Sequence, residues 1–407
     1  MKISWTRLLA MLMSFMAAMP AAGTDGNGGA GIGEVLLADA AAVVEKINPG
    51  HKYLNFAFIT DTHINGMESY GDVSAVNNLQ MIHDIGNTEW CDFIVHGGDI
   101  YTAYGTTLEE AEGYIGQVKE LIGETTVPVY YTRGNHEANM KCRKIADPDS
   151  LDWEHISYYV LGKGGQYIEV TEETWNGRTR LYLEETDNEQ RISGERWVSL
   201  LQSSGMEGTV RCPDPAGGYF YRDFEEQKVR LIVANTFDSP HGNENTGMGR
   251  EQTKWLAESA LNLSEKVDPS EWTVVMFGHI FREGEGKRFR YLDVIRAFIE
   301  GKDFREKVDG TAVYGAFSGQ GPGSFAGTIH GHRHRDEYSS ELGWNNIGTL
   351  CGNGPKDTIG TPEEYGISVY TLDTDAKILY ETRIGRRSDP ERTEDRCFRF
   401  DRPGQTR

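Results

Sequence analysis

Three times before residue 140 the chain runs through a short apolar stretch and stops on polar side chains able to hold metal. Phe56-Ala57-Phe58-Ile59-Thr60 ends in Asp61-Thr62-His63, Phe93-Ile94-Val95-His96 in Gly97-Gly98-Asp99, and Val127 to Tyr131 in Arg133-Gly134-Asn135-His136-Glu137. Between these runs lie segments of helical period: Val76, Leu79, Ile82 and Ile85 share one face, as do Leu108, Ala111, Ile115, Val118 and Ile122. Strands alternating with helices predict βαβ units and a partly parallel sheet. Such sheets bind ligands outside the carboxyl ends of their strands, so the three polar termini are expected along one edge. The pattern resumes with Val229 to Ala234, a helix from about Arg250 to Leu263, and Trp272 to Phe277 running into Gly278-His279. Gly327 to His330 then leads into Gly331-His332-Arg333-His334, and Ile367 to Leu372 with Lys377 to Arg383 predicts a closing hairpin.

Other segments break this grammar. Lys2 and Arg7, the apolar run Leu8 to Met19 and the small residues Pro20 to Gly23 have the layout of a secretory signal over residues 1–22. A secreted or periplasmic location is the expectation. Residues 23–50 read as a linker with an Ala-rich helix near its end. Residues 51–385 read as the folded domain, with a hairpin-rich insertion or cap at about 150–222, and 386–407 as a charged tail. After the signal no stretch reaches the length of a transmembrane span. Cys91, Cys142, Cys212, Cys351 and Cys397 are odd in number and form no CxxC pair, which excludes a disulfide scaffold and a thiolate zinc site; one or two bridges, Cys142 to Cys212 among them, stay open.

Net charge is −21. Stable binding to nucleic acid or an anionic membrane is therefore disfavoured, and a phosphate handled by such a chain needs local positive charge. Bound cations supply it. Asp61 and His63 are an i, i+2 pair, which extended backbone turns to one side; His332 and His334 are a second. Asp99 has two oxygens with which to bridge cations, Asn135 offers an amide oxygen, and His279 follows an apolar strand. Two carboxylates, one amide and four imidazoles suit two octahedral divalent ions. Ions about 3.5–4 Å apart activate a hydroxide and clamp a phosphoryl oxygen. His96 and His83 read as structural, His241 and Arg133 as candidate substrate contacts, and Arg282 as a weaker one. A turn-capping Asp, a core histidine or a His-rich surface loop explains each motif singly, but not all of them in order.

Taken together, D-x-H (Asp61, His63), G-D (Gly98, Asp99), G-N-H-E (Gly134 to Glu137), G-H (Gly278, His279) and G-H-x-H (Gly331 to His334) resemble the calcineurin-like metallophosphoesterase superfamily over roughly residues 52–385. The resemblance implies a four-layer α/β/β/α sandwich of two mixed sheets. It implies two divalent metal ions (Mn, Fe, Zn, Mg, Co or Ni): one held by Asp61, His63 and His334, one by Asn135, His279 and His332, with Asp99 bridging. It also implies attack of a metal-bound hydroxide on a phosphate ester, with His136 as general acid and Glu137 orienting His136 by a hydrogen bond. The substrate class is a phosphate-ester small molecule, lipid or nucleotide, mono- or diester, and the oligomeric state stays open. Gln252, Trp255 and Leu256 resemble the family's Q-x-x-W-L segment. Two departures set the chain apart from purple acid phosphatases: Thr102 stands where they carry tyrosine, and His63 where they carry glycine, so no iron–tyrosinate colour is expected. The rival is a non-catalytic secreted module of the same fold that binds metal or ligand; degeneration of that kind erases a ligand, and none is missing.

Overall fold

The computed structural model describes residues 31–64, 72–103, 106–138, 145–146, 153–154, 158–161, 167–174, 181–183, 192–238, 247–282, 289–389 and 395–401. The segment read as a secretory signal, His241 and Cys142 lie outside them.

The first sheet grows from β1 (Leu54–Ile59), β2 (Phe93–His96) and β3 (Val129–Tyr131), all parallel. The connecting helices are α2 (Asp72–Gly86) and α3 (Leu108–Ile122). Thr107 and Glu110 close a capping box at the start of α3, the T-x-x-E signature of a helix start. On the other side of β1 come β17 (Gly366–Asp373), β18 (Ile378–Gly385) and β19 (Arg396–Arg399), all antiparallel, giving the order β19-β18-β17-β1-β2-β3. The second sheet has the order β15-β16-β14-β11-β10-β9-β8. Its members are β8 (Thr209–Arg211), β9 (Phe220–Phe224), β10 (Val229–Val233), β11 (Thr273–Phe277), β14 (Ser324–His330), β15 (Glu337–Ser339) and β16 (Asn346–Gly348). Strands β10, β11, β14 and β16 are parallel, so both sheets are mixed; β12 (Phe304–Val308) and β13 (Thr311–Gly315) pair in a hairpin outside them.

Every residue of β1, β10 and β11 is buried. Their largely apolar runs follow from cover on both faces, and the buried exceptions Asn55 and Arg230 are hydrogen-bonded to Trp90 O and to Asp223. Between the sheets lies an aromatic seam: Phe56 stacks on Phe93 at 4.8 Å and on Tyr370 at 5.3 Å, and meets the edge of Phe277 at 5.4 Å. Behind the first sheet, α2, α3 and α5 (Gly194–Leu201) bury Leu79, Ile82, Ile115 and Trp197. Behind the second, α6 (Arg250–Trp255) and α7 (Arg290–Glu300) bury Trp255, Leu292 and Phe298. These are the four layers of the expected α/β/β/α sandwich.

Three boundaries differ from the sequence reading. Within the stretch read as a linker, α1 (Ile32–Ile47) packs Ala40 and Val44 into the core behind the first sheet. Of the stretch read as a cap, β5 (Tyr158–Leu161), β6 (Tyr167–Val170) and β7 (Leu181–Leu183) join β4 (Ile145–Ala146), which precedes it, in a separate four-stranded sheet. From Gly194 onward, however, the chain belongs to the body: Trp197 and Leu201 are core residues, and β8 and β9 finish the second sheet. The charged tail is not loose throughout, since β19 pairs with β18 and Phe398 is fully buried. Alternating Arg396, Cys397, Phe398 and Arg399 hide one strand residue among charges, too little period to read in advance. Among the described residues no helix is long and apolar enough to cross a membrane, and Cys91, Cys212 and Cys351 carry free thiols.

Candidate metal centre

Five strand ends converge where the two sheets meet. Asp61 and His63 follow β1, Asp99 follows β2, and Asn135 to Glu137 form α4 (Asn135–Ala138) after β3. His279 follows β11, and His332 and His334 follow β14. The turns after β1 and β2 stay zipped: Gly98 O accepts from the Asp61 N–H at 2.9 Å and Asp99 O from the His63 N–H at 3.1 Å.

All seven residues predicted as ligands fall in this one place. His63 Nε2 lies 3.0 Å from His334 Nε2, and Asp61 Oδ1 lies 3.1 Å from His334 Nε2. Asp99 Oδ2 is 3.0 Å from His279 Nε2 and 3.9 Å from both His63 Nε2 and His136 Nε2. Asn135 Oδ1 is 3.1 Å from His279 Nε2 and 2.8 Å from His332 Nδ1. Asp61 with His63 and His334, and Asp99 with His279 and His332, each bring their ligand atoms within 4.8 Å of one another; so do His63, Asp99 and His136. Asp99 thus faces both groups.

The i, i+2 pairs do not work by extended backbone. Asp61 (φ 53°), His63 (φ 44°), Asp99 (φ 52°), His332 (φ 71°) and His334 (φ 54°) are all left-handed. That conformation is strained for residues with a Cβ and persists only where the surroundings over-determine it. The glycines beside them make room. A Cβ on Gly331 would fall 2.1 Å from Asp61 Oδ2, and one on Gly134 2.1 Å from Asp99 Oδ1.

The rings are held from behind. His279 Nδ1 donates to Gly97 O at 2.7 Å, and His63 Nδ1 meets the buried Thr102 hydroxyl at 3.2 Å. The Ala103 N–H donates to His136 Nδ1 at 2.9 Å. Glu137 does not orient His136, as the sequence reading had it. Its carboxylate accepts the N–H groups of Gly134 (2.7 Å), Ile100 (2.7 Å) and Asp99 (3.1 Å), tying the loop after β3 to the loop after β2. Arg133 donates through Nη2 to Ile192 O and, at 3.3 Å, to Glu137 O, so it braces the returning chain. His96 and His83 are structural as read: His96 accepts from the Gly98 N–H at 3.2 Å, and His83 bonds Ile122 O at 2.7 Å. Gln252 clasps Asn235 through both its backbone groups, at 3.0 and 2.8 Å. Thr102 and the Gly97 carbonyl were missed as partners of the site, although Thr102 stood out by replacing a tyrosine.

Charge follows this packing. Burial alone would lower the His279 pKa, but Asp99 and Asp61 raise it to about 10. Burial, helped by His136, drives His63 down to about 3, and burial, helped by His279, drives His332 to about 4. Asp61 stays ionised because His279 and His334 outweigh the cost of burial.

The fold agrees with the family whose model matches the chain. The model of the calcineurin-like phosphoesterase family matches residues 54–294. The crystal structure of a dimetal phosphatase from Danio rerio is similar at 13% identity and TM-score 0.50, over 86% of this chain and 99% of that one. A purple acid phosphatase from yellow lupin (Lupinus luteus) is similar at 14% identity and TM-score 0.41, over 85% of this chain and 53% of that one. No curated protein matches the chain. The chain belongs to the calcineurin-like phosphoesterase family. It is a metal-dependent phosphoester hydrolase.

Proposed function

We propose that the chain hydrolyses a phosphate mono- or diester of a small molecule at the Asp/His centre. Asp61, His63 and His334 hold one divalent ion, Asn135, His279 and His332 a second, and Asp99 is shared. One observation carries this reading. His279 Nδ1 is committed as donor to Gly97 O at 2.7 Å, so Nε2 of the neutral ring carries a lone pair. That lone pair points at Asp99 Oδ2 (3.0 Å) and Asn135 Oδ1 (3.1 Å), two further acceptors. Three acceptors turned toward one another call for a cation among them. Without a metal the ring meets the demand by holding a proton, as its raised pKa of about 10 expresses.

Two divalent ions supply an activated water and neutralise charge on the phosphoryl oxygens. The chain's own groups do the rest. The Ala103 N–H fixes Nδ1 of His136 as acceptor, so the neutral ring keeps its proton on Nε2. That nitrogen faces the centre, 3.9 Å from Asp99 Oδ2, placed to donate to a phosphoryl or leaving-group oxygen. The all-nitrogen-and-oxygen donor set suits Mn, Fe, Zn, Mg, Co or Ni. A net charge of −21 favours small esters over nucleic acid.

The test is His136→Ala in the full chain, with metal content measured beside turnover. Metal should stay near two ions per chain while kcat falls about 10²–10⁴-fold, the usual worth of a positioned proton donor. Unchanged turnover would remove His136 from the reaction. Chelated protein that no added metal reactivates would leave the non-catalytic reading standing.

A further inference from the structure

The left-handed loop that carries His332 and His334 needs something to hold it, and its partners come from the far end of the chain. Asp336, two residues past His334, points its carboxylate away from the centre toward β18 and the segment that follows. Arg383 Nη2 pairs with Asp336 Oδ1, their side chains being only 1% and 3% exposed. The Ser388 N–H donates to Asp336 Oδ2 at 3.1 Å, and the Asp336 N–H donates to Ser388 Oγ at 2.5 Å. The Arg396 guanidinium of β19 lies 3.7 Å from the same carboxylate. Arg383 and Arg396 are held in turn by Glu381, itself 1% exposed. One carboxylate thus takes contacts from a strand, the chain after it and the next strand. These residues belong to the first sheet and its extension, while the loop belongs to the second.

We propose that Asp336 is a positioning residue for the metal centre: with Arg383 and Ser388 it clamps the loop that presents His334, and so sets the affinity of the ion held by Asp61, His63 and His334. This rests on the two-ion reading above. Strained backbone keeps its shape only while its surroundings enforce it, and groups behind ligands tune metal affinity about 10–100-fold. His332 has an anchor of its own, its N–H donating to Asp61 Oδ2 at 2.9 Å. Asp336 stands two residues from His334 and four from His332, so the clamp should weigh on His334 more.

Titration of the metal-stripped full chain with Co²⁺, followed by the visible absorption of the bound ion, tests the clamp. Wild type should take up two ions. Asp336→Asn keeps the shape and removes the charge facing Arg383; one ion should bind 10–100-fold more weakly with an altered spectrum, and the other within about 3-fold of wild type. A folded Asp336→Asn chain that binds both ions as tightly as wild type, with the same spectrum, overturns the clamp and leaves the two-ion reading intact. A wild-type chain that takes up no Co²⁺ overturns both. If Asp336→Asn fails to fold by circular dichroism, Ser388→Ala decides, since Ser388 is exposed and loses only a hydroxyl. About 2–5-fold weaker binding of one ion supports the clamp, and unchanged binding of both overturns it.

Discussion

The loops after β1 and β2, which lie beside the helical turn after β3, and the loop after β14 hold Asp61, His63, Asp99, His332 and His334 in the same left-handed backbone, yet the two sides are braced by different chemistry. On the first side the brace is a buried carboxylate reaching backbone N–H groups: Glu137 gathers those of Gly134, Asp99 and Ile100. On the second side it is an ionic cluster, Asp336 with Arg383, Glu381 and Arg396. The first brace lies inside the G-N-H-E motif itself. The second lies about fifty residues along the chain from the ligands it serves, as the pairing of Asp336 with Arg383 shows. A brace made within a motif travels with it, whereas one made by a distant strand depends on the whole fold being complete.

The sharpest way to break this contrast is Glu137→Ala, which strands three buried donors. At about 1–3 kcal/mol for each unsatisfied group, the loss is roughly 3–9 kcal/mol of stability by denaturant titration. Activity should fall with it, because Asp99 loses its fixed place. Survival of full stability would mean that the carboxylate braces nothing.

Acid should attack the other side. Burial alone would raise the Glu381 pKa, but Arg396 and Arg383 lower it from 4.5 to about 2 in the folded chain. A depressed carboxylate stabilises the fold above its unfolded pKa, and that stability is lost as pH falls through the folded value. Between pH about 4.5 and 2 the fold should lose on the order of 3 kcal/mol from this group. Glu381→Gln should flatten the pH dependence in that window, and an unchanged slope would contradict the ionic description.

Thr102→Val removes the hydroxyl behind His63 while keeping its shape. About 10-fold weaker metal binding is expected, with Thr102→Ser restoring most of it. Arg133→Met is the mildest change. It should cost about 1 kcal/mol of stability through lost bonds to backbone carbonyls and leave KM within 2-fold; a large rise in KM would return Arg133 to the role of phosphate contact.

The first side was the more legible from sequence. β1, β2 and β3 are short apolar runs that stop on their own ligands, so run and ligand are read in one glance. His279 and the G-H-x-H pair also stood out, because each follows a glycine after a strand-like run. What holds them did not. Left-handed φ at Asp61, His63, Asp99, His332 and His334 is only weakly signalled by residue type: Asp and His are enriched at positive φ, yet most Asp and His residues do not adopt it. The resemblance implied that Glu137 orients His136, but its carboxylate is taken up by the N–H groups of Gly134, Ile100 and Asp99. Asp336 and Arg383 meet through strand pairing and loop placement, which nearest-neighbour patterns do not encode. The same is true of β19, where one buried Phe398 sits between arginines.

The seam between the sheets also dictates when the centre can exist at all. The His332 N–H reaches Asp61 and the His63 ring meets His334 across 271 positions of chain. Closing such contacts costs loop entropy before they return any stability. On the proposed two-ion reading, either sheet alone displays only part of the coordinating set, so tight ion capture would mark the docking of the sheets and not the growth of either one. In a refolding experiment, high-affinity ion uptake should trail the recovery of secondary structure, and a nascent chain would stay unable to hold its metals until β14 and its loop had been synthesised and docked.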